Sequence, residues 1–295
     1  MSPDPNHVST VIASRRSDPA PRRRCILTTA LGTLGLLCLW SPAAPAAAFV
    51  IDPVDGLSGD AVGLNNSLAI DSGDNPHISY RDQTNQDLKY AYKIGAAWSI
   101  EVVDGVGDKG LMSSIAVDAS HNVHVAYSDF TDFDLLYAVR TGGGWSYELV
   151  DAPGLVGSFV SLALDDNGEP HISYYDFTKG DLKYATRSMG VWSTVQVDTS
   201  GVVGSWTSIA LNAAGEPRIS YQDETLKNLK FASHAAGSWD ITVVDSLGEV
   251  GEYTSLVLDS SGDPVISYYD RDNDDLKMAR WSGAVWNVET VDGPR

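Results

Sequence analysis

Five aspartates recur at a fixed spacing in this chain, and they are the first residues whose chemistry could serve a binding site. The spacing is 47 residues, and a second polar residue follows each aspartate five positions later. The first set is Asp82, Asp129, Asp176, Asp223 and Asp270, and the second set is Asp87, Asp134, Asp181, Asn228 and Asp275. Such a carboxylate can accept hydrogen bonds from backbone N–H groups of its own turn or from sugar hydroxyls. The sequence leaves both interpretations open.

A second column of residues lies two positions after a recurring glycine and becomes aromatic in the last three repeats. Its members are Asn65, Met112, Phe159, Trp206 and Tyr253. Aromatic faces beside carboxylates suit carbohydrate, which offers C–H patches and hydroxyl groups together. We therefore predict ligand binding by Phe159, Trp206 and Tyr253 with the first set of aspartates. The alternative is that these rings only pack neighbouring repeats together.

Metal binding is a weaker prediction. The stretch DRDNDD places Asp270, Asp272 and Asp274 at alternating positions, as at the start of a calcium loop. It lacks the later glycine and the bidentate glutamate of such loops, so calcium is the one cofactor that stays open. His77, His124 and His171 share one column, but equivalent positions of neighbouring repeats diverge, so we expect no zinc site there.

The sequence offers little for catalysis. We find no Ser-His-Asp set apart from the repeats and no glycine-rich phosphate loop. Glycosidases need two carboxylates in different environments, whereas a near-perfect repeat makes carboxylates and their surroundings alike. The repeat therefore favours a non-catalytic binding protein.

The repeat itself has an unbroken period of 47 residues. Tyrosines, tryptophans, glycines and serines all follow it without an insertion. They are Tyr80, Tyr127, Tyr174, Tyr221 and Tyr268; Trp98, Trp145, Trp192, Trp239 and Trp286; Gly63, Gly110, Gly157, Gly204 and Gly251; and Ser67, Ser114, Ser161, Ser208 and Ser255. We place the repeats at about 56–104, 105–151, 152–198, 199–245 and 246–292. Five equal units indicate a structural module.

The sequence of each repeat predicts four short strands. In the third, period-two alternation predicts strands VSLALD from Val160, PHISYY from Pro170, DLKYATR from Asp181 and WSTVQVD from Trp192. Small four-stranded sheets bury their faces by stacking around an axis. The sequence thus predicts an all-β, five-bladed β-propeller with almost no helix, in which the tryptophans are packing anchors. Two packed sheets are the alternative.

The ends of the repeat array leave one question open. FVIDPVDG from Phe49 resembles WNVETVDG from Trp286, which is the sequence of the fourth predicted strand of the last repeat. Either segment could form the outer strand of the closing blade.

The stretch SIAVDASHNVHVAYSD, from Ser114 to Asp129, resembles the first hairpin of NHL-type and related bacterial propeller repeats. Five units of this length are similar in arrangement to the five-bladed lectin tachylectin. The BNR-type Asp-box of sialidases is not matched, because LALDDNGEPHI has no aromatic residue at the last position. The resemblance implies a ligand face formed by the loops between second and third strands and between successive blades.

The first 48 residues read as an export signal. Arg22, Arg23 and Arg24 precede an apolar run, and SPAAPAAA suggests cleavage after Ala48. RRRCIL also fits a twin-arginine signal. Both cysteines lie in this segment, so the mature domain, residues 49–295, contains no thiol. We expect no retained transmembrane segment and a secreted or periplasmic location.

The charge of the mature domain excludes two partner classes. Setting aside five basic and two acidic residues of the signal leaves 15 basic and 37 acidic residues, a net charge of −22. Nucleic acid and anionic membranes require a positive face, so neither is expected as a partner.

Taken together, these features predict a secreted lectin-like module that binds a glycan or cell-surface polymer at several similar sites. The first alternative is a scaffold for extracellular proteins. The second is a glycoside hydrolase or sialidase-like enzyme.

Overall fold

The computed structural model describes residues 52–56 and 59–293, and residues 54–295 form one compact unit. The predicted export signal lies outside the described residues. None of the described residues forms a helix long and apolar enough to span a bilayer.

The described chain forms twenty strands in five four-stranded antiparallel sheets, each built from four consecutive strands. The strands are β1 Val62–Ile70, β2 Pro76–Asp82, β3 Asp87–Ile94 and β4 Ala97–Asp104 in blade 1; β5 Lys109–Val117, β6 Val123–Asp129, β7 Asp134–Thr141 and β8 Gly144–Asp151 in blade 2; β9 Val156–Leu164, β10 Pro170–Asp176, β11 Asp181–Ser188 and β12 Val191–Asp198 in blade 3; β13 Val203–Leu211, β14 Pro217–Asp223, β15 Asn228–Ala235 and β16 Ser238–Asp245 in blade 4; and β17 Val250–Leu258, β18 Pro264–Asp270, β19 Asp275–Trp281 and β20 Trp286–Asp292 in blade 5. The protein is a five-bladed β-propeller, as predicted, and the two-sheet alternative is wrong.

The strands of blade 3 show how closely the alternation of apolar and polar residues predicts where each strand begins. β10 and β11 begin at the predicted residues, and β12 begins one residue early. β9 begins four residues earlier than predicted, at Val156. It contains an irregular stretch in which the pairing with β10 shifts, and the alternation is lost there.

Neighbouring blades are held together by one apolar junction that recurs along the chain. Between blades 2 and 3, Leu135, Tyr137 and Val150 pack against Leu162 and Ile172 in one buried cluster. Each blade therefore has a forward face, carrying the leucine, aromatic and valine, and a back face, carrying the leucine or isoleucine pair. The forward face of one blade covers the back face of the next.

The periodic tryptophans pack across these junctions, as their constancy predicts. The tryptophans of blades 2–5 each contact the edge of an aromatic ring on the preceding blade at a centroid distance of 5.2–5.5 Å. The pairs are Tyr90–Trp145, Tyr137–Trp192, Tyr184–Trp239 and Phe231–Trp286.

Buried polar groups also form hydrogen bonds across each junction. Asp198, at the end of β12, accepts a hydrogen bond from the Tyr221 hydroxyl at 2.8 Å and from Lys230 Nζ at 3.1 Å. Burial disfavours the charged carboxylate, but hydrogen bonds from the Ser200 N–H, Tyr221 and Lys230 hold the pKa of Asp198 below its ordinary value. The junction therefore keeps an ionised carboxylate inside the protein.

The two chain ends supply different parts of the first and last blades. β20 pairs with β19 as the outer strand of blade 5. Asp55 accepts hydrogen bonds from Tyr80 at 2.8 Å and Lys89 at 2.6 Å, as Asp198 does from Tyr221 and Lys230. The question left open by the sequence thus has a simple answer: the later segment is the strand, and the earlier one supplies the aspartate of blade 1.

Candidate functional site

Three aromatic side chains on successive blades touch one another and form what we call the aromatic ladder: Phe159, Trp206 and Tyr253. Their ring centroids are 4.5 Å apart between Phe159 and Trp206 and 4.0 Å apart between Trp206 and Tyr253. Phe159 and Trp206 are partly buried, and Tyr253 is 42% exposed. The structure therefore brings the three predicted aromatic residues together in one continuous surface.

The backbone of the ladder residues is strained. Phe159, Trp206 and Tyr253 have φ angles of 52°, 56° and 54°, in the left-handed region that bulky residues seldom adopt. Such a conformation costs on the order of 1–3 kcal/mol per residue and persists only where the surrounding structure imposes it. Asn65 of blade 1 shares this backbone conformation, with a φ of 48°, so what distinguishes blades 3–5 is that the strained position carries an aromatic ring, and this marks their surface as a candidate functional site.

The same column continues through the first two blades without aromatic rings. Asn65 donates a hydrogen bond from Nδ2 to the backbone carbonyl of Leu111, and Met112 Sδ accepts one from the Phe159 N–H at 2.8 Å. The column is therefore continuous from blade 1 to blade 5, but only blades 3–5 present ring faces.

Further aromatic residues flank the ladder on the neighbouring strands. Tyr175 lies 6.1 Å from Phe159, and Tyr269 lies 6.2 Å from Tyr253, measured between ring centroids. Phe177, 5.9 Å from Tyr175, is largely exposed. Tyr175 is buried and supports the rings beside it, whereas Phe177 and the partly exposed Tyr269 widen the apolar surface on blades 3 and 5.

A group of charged residues lies at the blade 4 and blade 5 end of the ladder. Arg271 Nη1 lies 3.0 Å from Glu252 and 3.3 Å from Glu249. Glu252, adjacent to Tyr253 in the chain, is only 6% exposed. Ser205, next to Trp206, donates a hydrogen bond to Glu224. Carboxylates and a guanidinium thus border the rings.

The glutamates of this group differ in their electrostatics. Burial raises the pKa of Glu252, and repulsion from Glu249 and Glu224 acts in the same direction against the attraction of Arg271. Glu249 behaves in the opposite way, because hydrogen bonds from Lys227 and Arg271 hold its pKa below the ordinary value. Two carboxylates of unlike proton affinity therefore lie in one cluster.

The five predicted aspartates have a different environment. All are buried, and each accepts a hydrogen bond from a backbone N–H two or three residues later in its own turn. Each also lies within 4 Å of a lysine. The aspartates are Asp82, Asp129, Asp176, Asp223 and Asp270. The geometry is that of side-chain-capped turns, the first of the two sequence interpretations.

The predicted calcium loop does not bring its carboxylates together. Asp270 bonds to Asn273, Asp272 accepts a hydrogen bond from the Glu249 N–H at 2.9 Å, and Asp274 accepts one from Tyr269. Within residues 52–56 and 59–293, no group of three or more metal-ligating side chains is arranged to hold an ion. Calcium binding stays a prediction.

The three histidines of one sequence column form hydrogen bonds within their own blades. Nδ1 of His77, His124 and His171 contacts the hydroxyl of Tyr90, Tyr137 and Tyr184, respectively. On the other side, His124 Nε2 lies 3.5 Å from Asp118. Each imidazole is therefore enclosed in its own blade.

Sequence reasoning missed the charged group beside the ladder, although a signal was present. Glu252 takes the place of Ser205, Ser158, Leu111 and Leu64 in the earlier repeats, and Arg271 takes the place of Glu224, Phe177, Phe130 and Gln83. Both columns vary between repeats, and only the fifth repeat carries a charged residue in both of them. Such departures are the places where a repeat can acquire a specific function.

Comparison with known proteins identifies the fold. No family model matches the chain, and no curated protein matches it. The solved lectin of Aleuria aurantia in complex with Fucα1-6GlcNAc is similar, with 17% identity over 81% of this chain and 81% of the lectin at a TM-score of 0.55. A variant of AofleA from Arthrobotrys oligospora matches with 12% identity over 79% and 75% of the chains at a TM-score of 0.56.

A polysaccharide lyase, an ulvan lyase, is also similar, with 14% identity over 79% of this chain and 73% of the lyase at a TM-score of 0.54. Sequence identities this low establish the shared fold alone. The chain is therefore a β-propeller whose structural neighbours include both a lectin and a carbohydrate-cleaving enzyme.

Proposed function

We propose that this protein is a secreted carbohydrate-binding propeller and that the aromatic ladder is its binding surface. The observation that carries the proposal is the contact between Phe159, Trp206 and Tyr253 on three successive blades, each in a strained backbone conformation. Ring faces bind the C–H patches of sugar rings, and the bordering charged groups bind hydroxyls.

The ladder favours one extended site over five equal ones. Aromatic rings occupy the column only in blades 3–5, and the charged group lies only at the blade 4 and blade 5 end. A polysaccharide segment that crosses several blades fits this asymmetry better than five copies of a single sugar. The buried aspartates, already bonded to their own turns, are not part of the proposed surface.

A glycan and polysaccharide array probed with the purified protein tests this proposal. We expect binding that Trp206→Ala reduces by up to about tenfold, since stacked aromatic contacts contribute about 0.5–1.5 kcal/mol. Tyr147→Ala is the matched control, because this exposed tyrosine lies on outer strand β8, outside the ladder column. Binding to no carbohydrate, or equal losses in both variants, would contradict the proposal.

Export is part of the same proposal. The basic and apolar pattern of residues 1–48 predicts cleavage after Ala48. Amino-terminal sequencing of protein recovered from outside the expressing cells is expected to begin at Phe49. Recovery only from the cytoplasm, with the first residues intact, would contradict this part.

Cleavage of a glycosidic bond is the second candidate function. One observation favours it: Glu252 is buried with a raised pKa, and Glu249 nearby has a lowered pKa. Acid and base roles in sugar cleavage need such a difference. Turnover of chromogenic glycosides or polysaccharides that is lost in Glu252→Gln and kept in Glu101→Gln, a glutamate on outer strand β4, would support it. Binding without turnover supports the lectin function.

A further inference from the structure

A serine, a histidine and an aspartate meet where the turn between β1 and β2 lies beside the turn between β5 and β6. Ser72 Oγ lies 3.3 Å from His121 Nε2, and His121 Nδ1 lies 3.3 Å from Asp71 Oδ2. We call these three residues the turn triad. A hydroxyl on one imidazole nitrogen and a carboxylate on the other is the arrangement that activates a serine as a nucleophile.

Sequence reasoning misses the turn triad, because its serine and histidine are 49 residues apart, on turns of two successive repeats. The search of the sequence for a Ser-His-Asp set finds none for this reason. These turns follow the ends of the inner strands β1 and β5, whereas the aromatic ladder column lies near the starts of the inner strands. The triad is therefore separate from the proposed carbohydrate-binding surface.

Asp71 is fixed in place by its own turn. Its side chain is only 7% exposed, and it accepts hydrogen bonds from the N–H groups of Asn75 and Gly73, each at 2.8 Å, and from Asn75 Nδ2 at 3.0 Å. The side-chain and backbone hydrogen bonds from Asn75, with the one from Gly73, hold the pKa of Asp71 well below its ordinary value. His77 Nε2 lies 3.4 Å from the same carboxylate. Asp71 therefore presents a negative charge to His121 at neutral pH.

An ionised Asp71 selects the tautomer of His121. The carboxylate accepts a hydrogen bond only from a protonated nitrogen, so Nδ1 carries the hydrogen and Nε2 is left as an acceptor toward Ser72. His121 is thus arranged as a general base, and catalytic hydrogen bonds are often this long before a substrate binds. The His121 side chain is 52% exposed and Ser72 is exposed, so a substrate can reach both.

His121 breaks the repeat at a position that favours glycine. Its φ angle is 62°, and its whole column has positive φ. The equivalent residues are Asp74, Gly168, Gly215 and Gly262. A histidine in this conformation carries a cost that glycine avoids. Among the five repeats, only the second has histidine here, and the repeat before it supplies Ser72.

We propose that the turn triad is a second site of this protein and that it hydrolyses esters of small acyl groups. Ser72 Oγ bonds to the acyl carbon while its proton passes to His121 Nε2, and His121 returns that proton to the departing alcohol. Water then attacks the acyl-serine and gives a proton to His121, the bond from the acyl carbon to Oγ breaks, and the proton restores the Ser72 hydroxyl. One ester and one water give one acid and one alcohol.

An ester is the expected substrate for a chemical reason. Its alcohol leaves more readily than the amine of an amide, and an exposed site excludes little water from the reacting atoms. The carboxylate of Asp71 is not a reacting group here. It positions His121 and stabilises the imidazolium that forms when Ser72 loses its proton.

Hydrolysis of 4-nitrophenyl acetate by the purified protein tests the proposal, together with labelling by a fluorophosphonate that reacts with activated serines. We expect turnover, and a covalent label that peptide mass spectrometry assigns to Ser72. Ser72→Ala is expected to abolish the label and to lower the hydrolysis rate at least about a hundredfold. Ser260→Ala is the matched control, because Ser260 holds the same turn position in blade 5. A wild-type protein that shows neither turnover nor label would overturn the proposal.

Two substitutions that other repeats already contain test the partners of Ser72 without disturbing the turns. His121→Gly matches blades 3–5, and Asp71→Asn matches Asn212, whose side chain accepts the same turn N–H groups in blade 4. We expect each to lower turnover and labelling at least about tenfold, with Tm unchanged. Lower Tm values with unchanged labelling would mean that the contacts only join the two turns. Turnover that survives Ser72→Ala but is lost in His121→Gly would make His121 the nucleophile. Either result would overturn the proposal.

Discussion

At the scale of single residues, a buried carboxylate performs different tasks according to what surrounds it. Asp223 is buried, bonds to the Leu226 N–H of its own turn and lies 2.7 Å from Lys230. Glu252 is also buried, but its cation is the largely exposed Arg271, and its pKa is raised. The first arrangement recurs in every blade and stabilises it. The second occurs once, beside the aromatic ladder, where a specific role is expected.

The buried histidines predict how stability depends on pH. Burial lowers the pKa of His124 against the attraction of Asp118, so the folded state holds this imidazole neutral. The unfolded chain binds its proton at a pKa of about 6.5. The stabilising contribution is therefore complete above that value and is lost as pH falls through the lower folded-state pKa.

Urea unfolding at pH 7.5 and at pH 5 checks this prediction in the wild type and in His124→Val. Valine is the matched substitution, because Val265 fills the same column in blade 5. We expect the variant to lose less stability on acidification, by up to about 1.4 kcal/mol per pH unit. Equal pH slopes in the two proteins would show that His124 is not the titrating group.

At the scale of the elements, the irregular start of the inner strand, which is the first strand of each blade, determines both how the blades pack and where the ladder rings lie. In β13 the pairing with β14 shifts twice around Gly204 and Trp206, both of which have positive φ. The glycine lets the strand approach Leu182 of the preceding blade, and the irregularity turns Trp206 toward the rings of Phe159 and Tyr253. One local distortion thus serves both blade packing and the ladder.

A pair of glycine substitutions separates backbone strain from packing at this point. Gly204→Ala and Gly63→Ala both place a Cβ at a positive φ, of 107° and 91°. Only at Gly204 would the Cβ collide with a neighbour, the Leu182 Cα at 2.7 Å.

We expect Gly204→Ala to lower the free energy of unfolding by about 1–3 kcal/mol more than Gly63→Ala, because overpacking adds to the strain. Chemical unfolding of the two variants measures this difference. Equal losses would mean that strain alone accounts for both substitutions. They would also mean that β13 of blade 4 does not approach β11 of blade 3 as closely as described.

The sequence predicts the elements better than the site because the two depend on different information. Period-two alternation places β10 and β11 at their observed first residues, since alternation is what a half-buried strand requires. It misses the first four residues of β9, where the bulge breaks the alternation. Spacing also placed Phe159, Trp206 and Tyr253 in one column. It could not show that Glu252 and Arg271 meet, because that contact depends on side chains from two strands.

At the scale of the whole molecule, the excess of negative charge predicts a dependence on salt. The chain carries a net charge of −19, and its buried aspartates are already paired with lysines. Repulsion among the surface carboxylates opposes folding and is screened by salt, whereas the buried pairs are screened much less. We expect Tm to rise by a few degrees between about 0.01 M and about 0.15 M NaCl. A Tm that falls over this range would indicate that surface ion pairs dominate.

Every blade, including blade 5 with β20 as its outer strand, is made from one uninterrupted stretch of chain. None of the five blades contains a strand from the other end of the chain. Each blade can therefore fold as soon as its own residues have been synthesised, and the following blade can then pack against it. Acquisition of structure from the amino terminus onward is therefore open to this protein while synthesis is still under way.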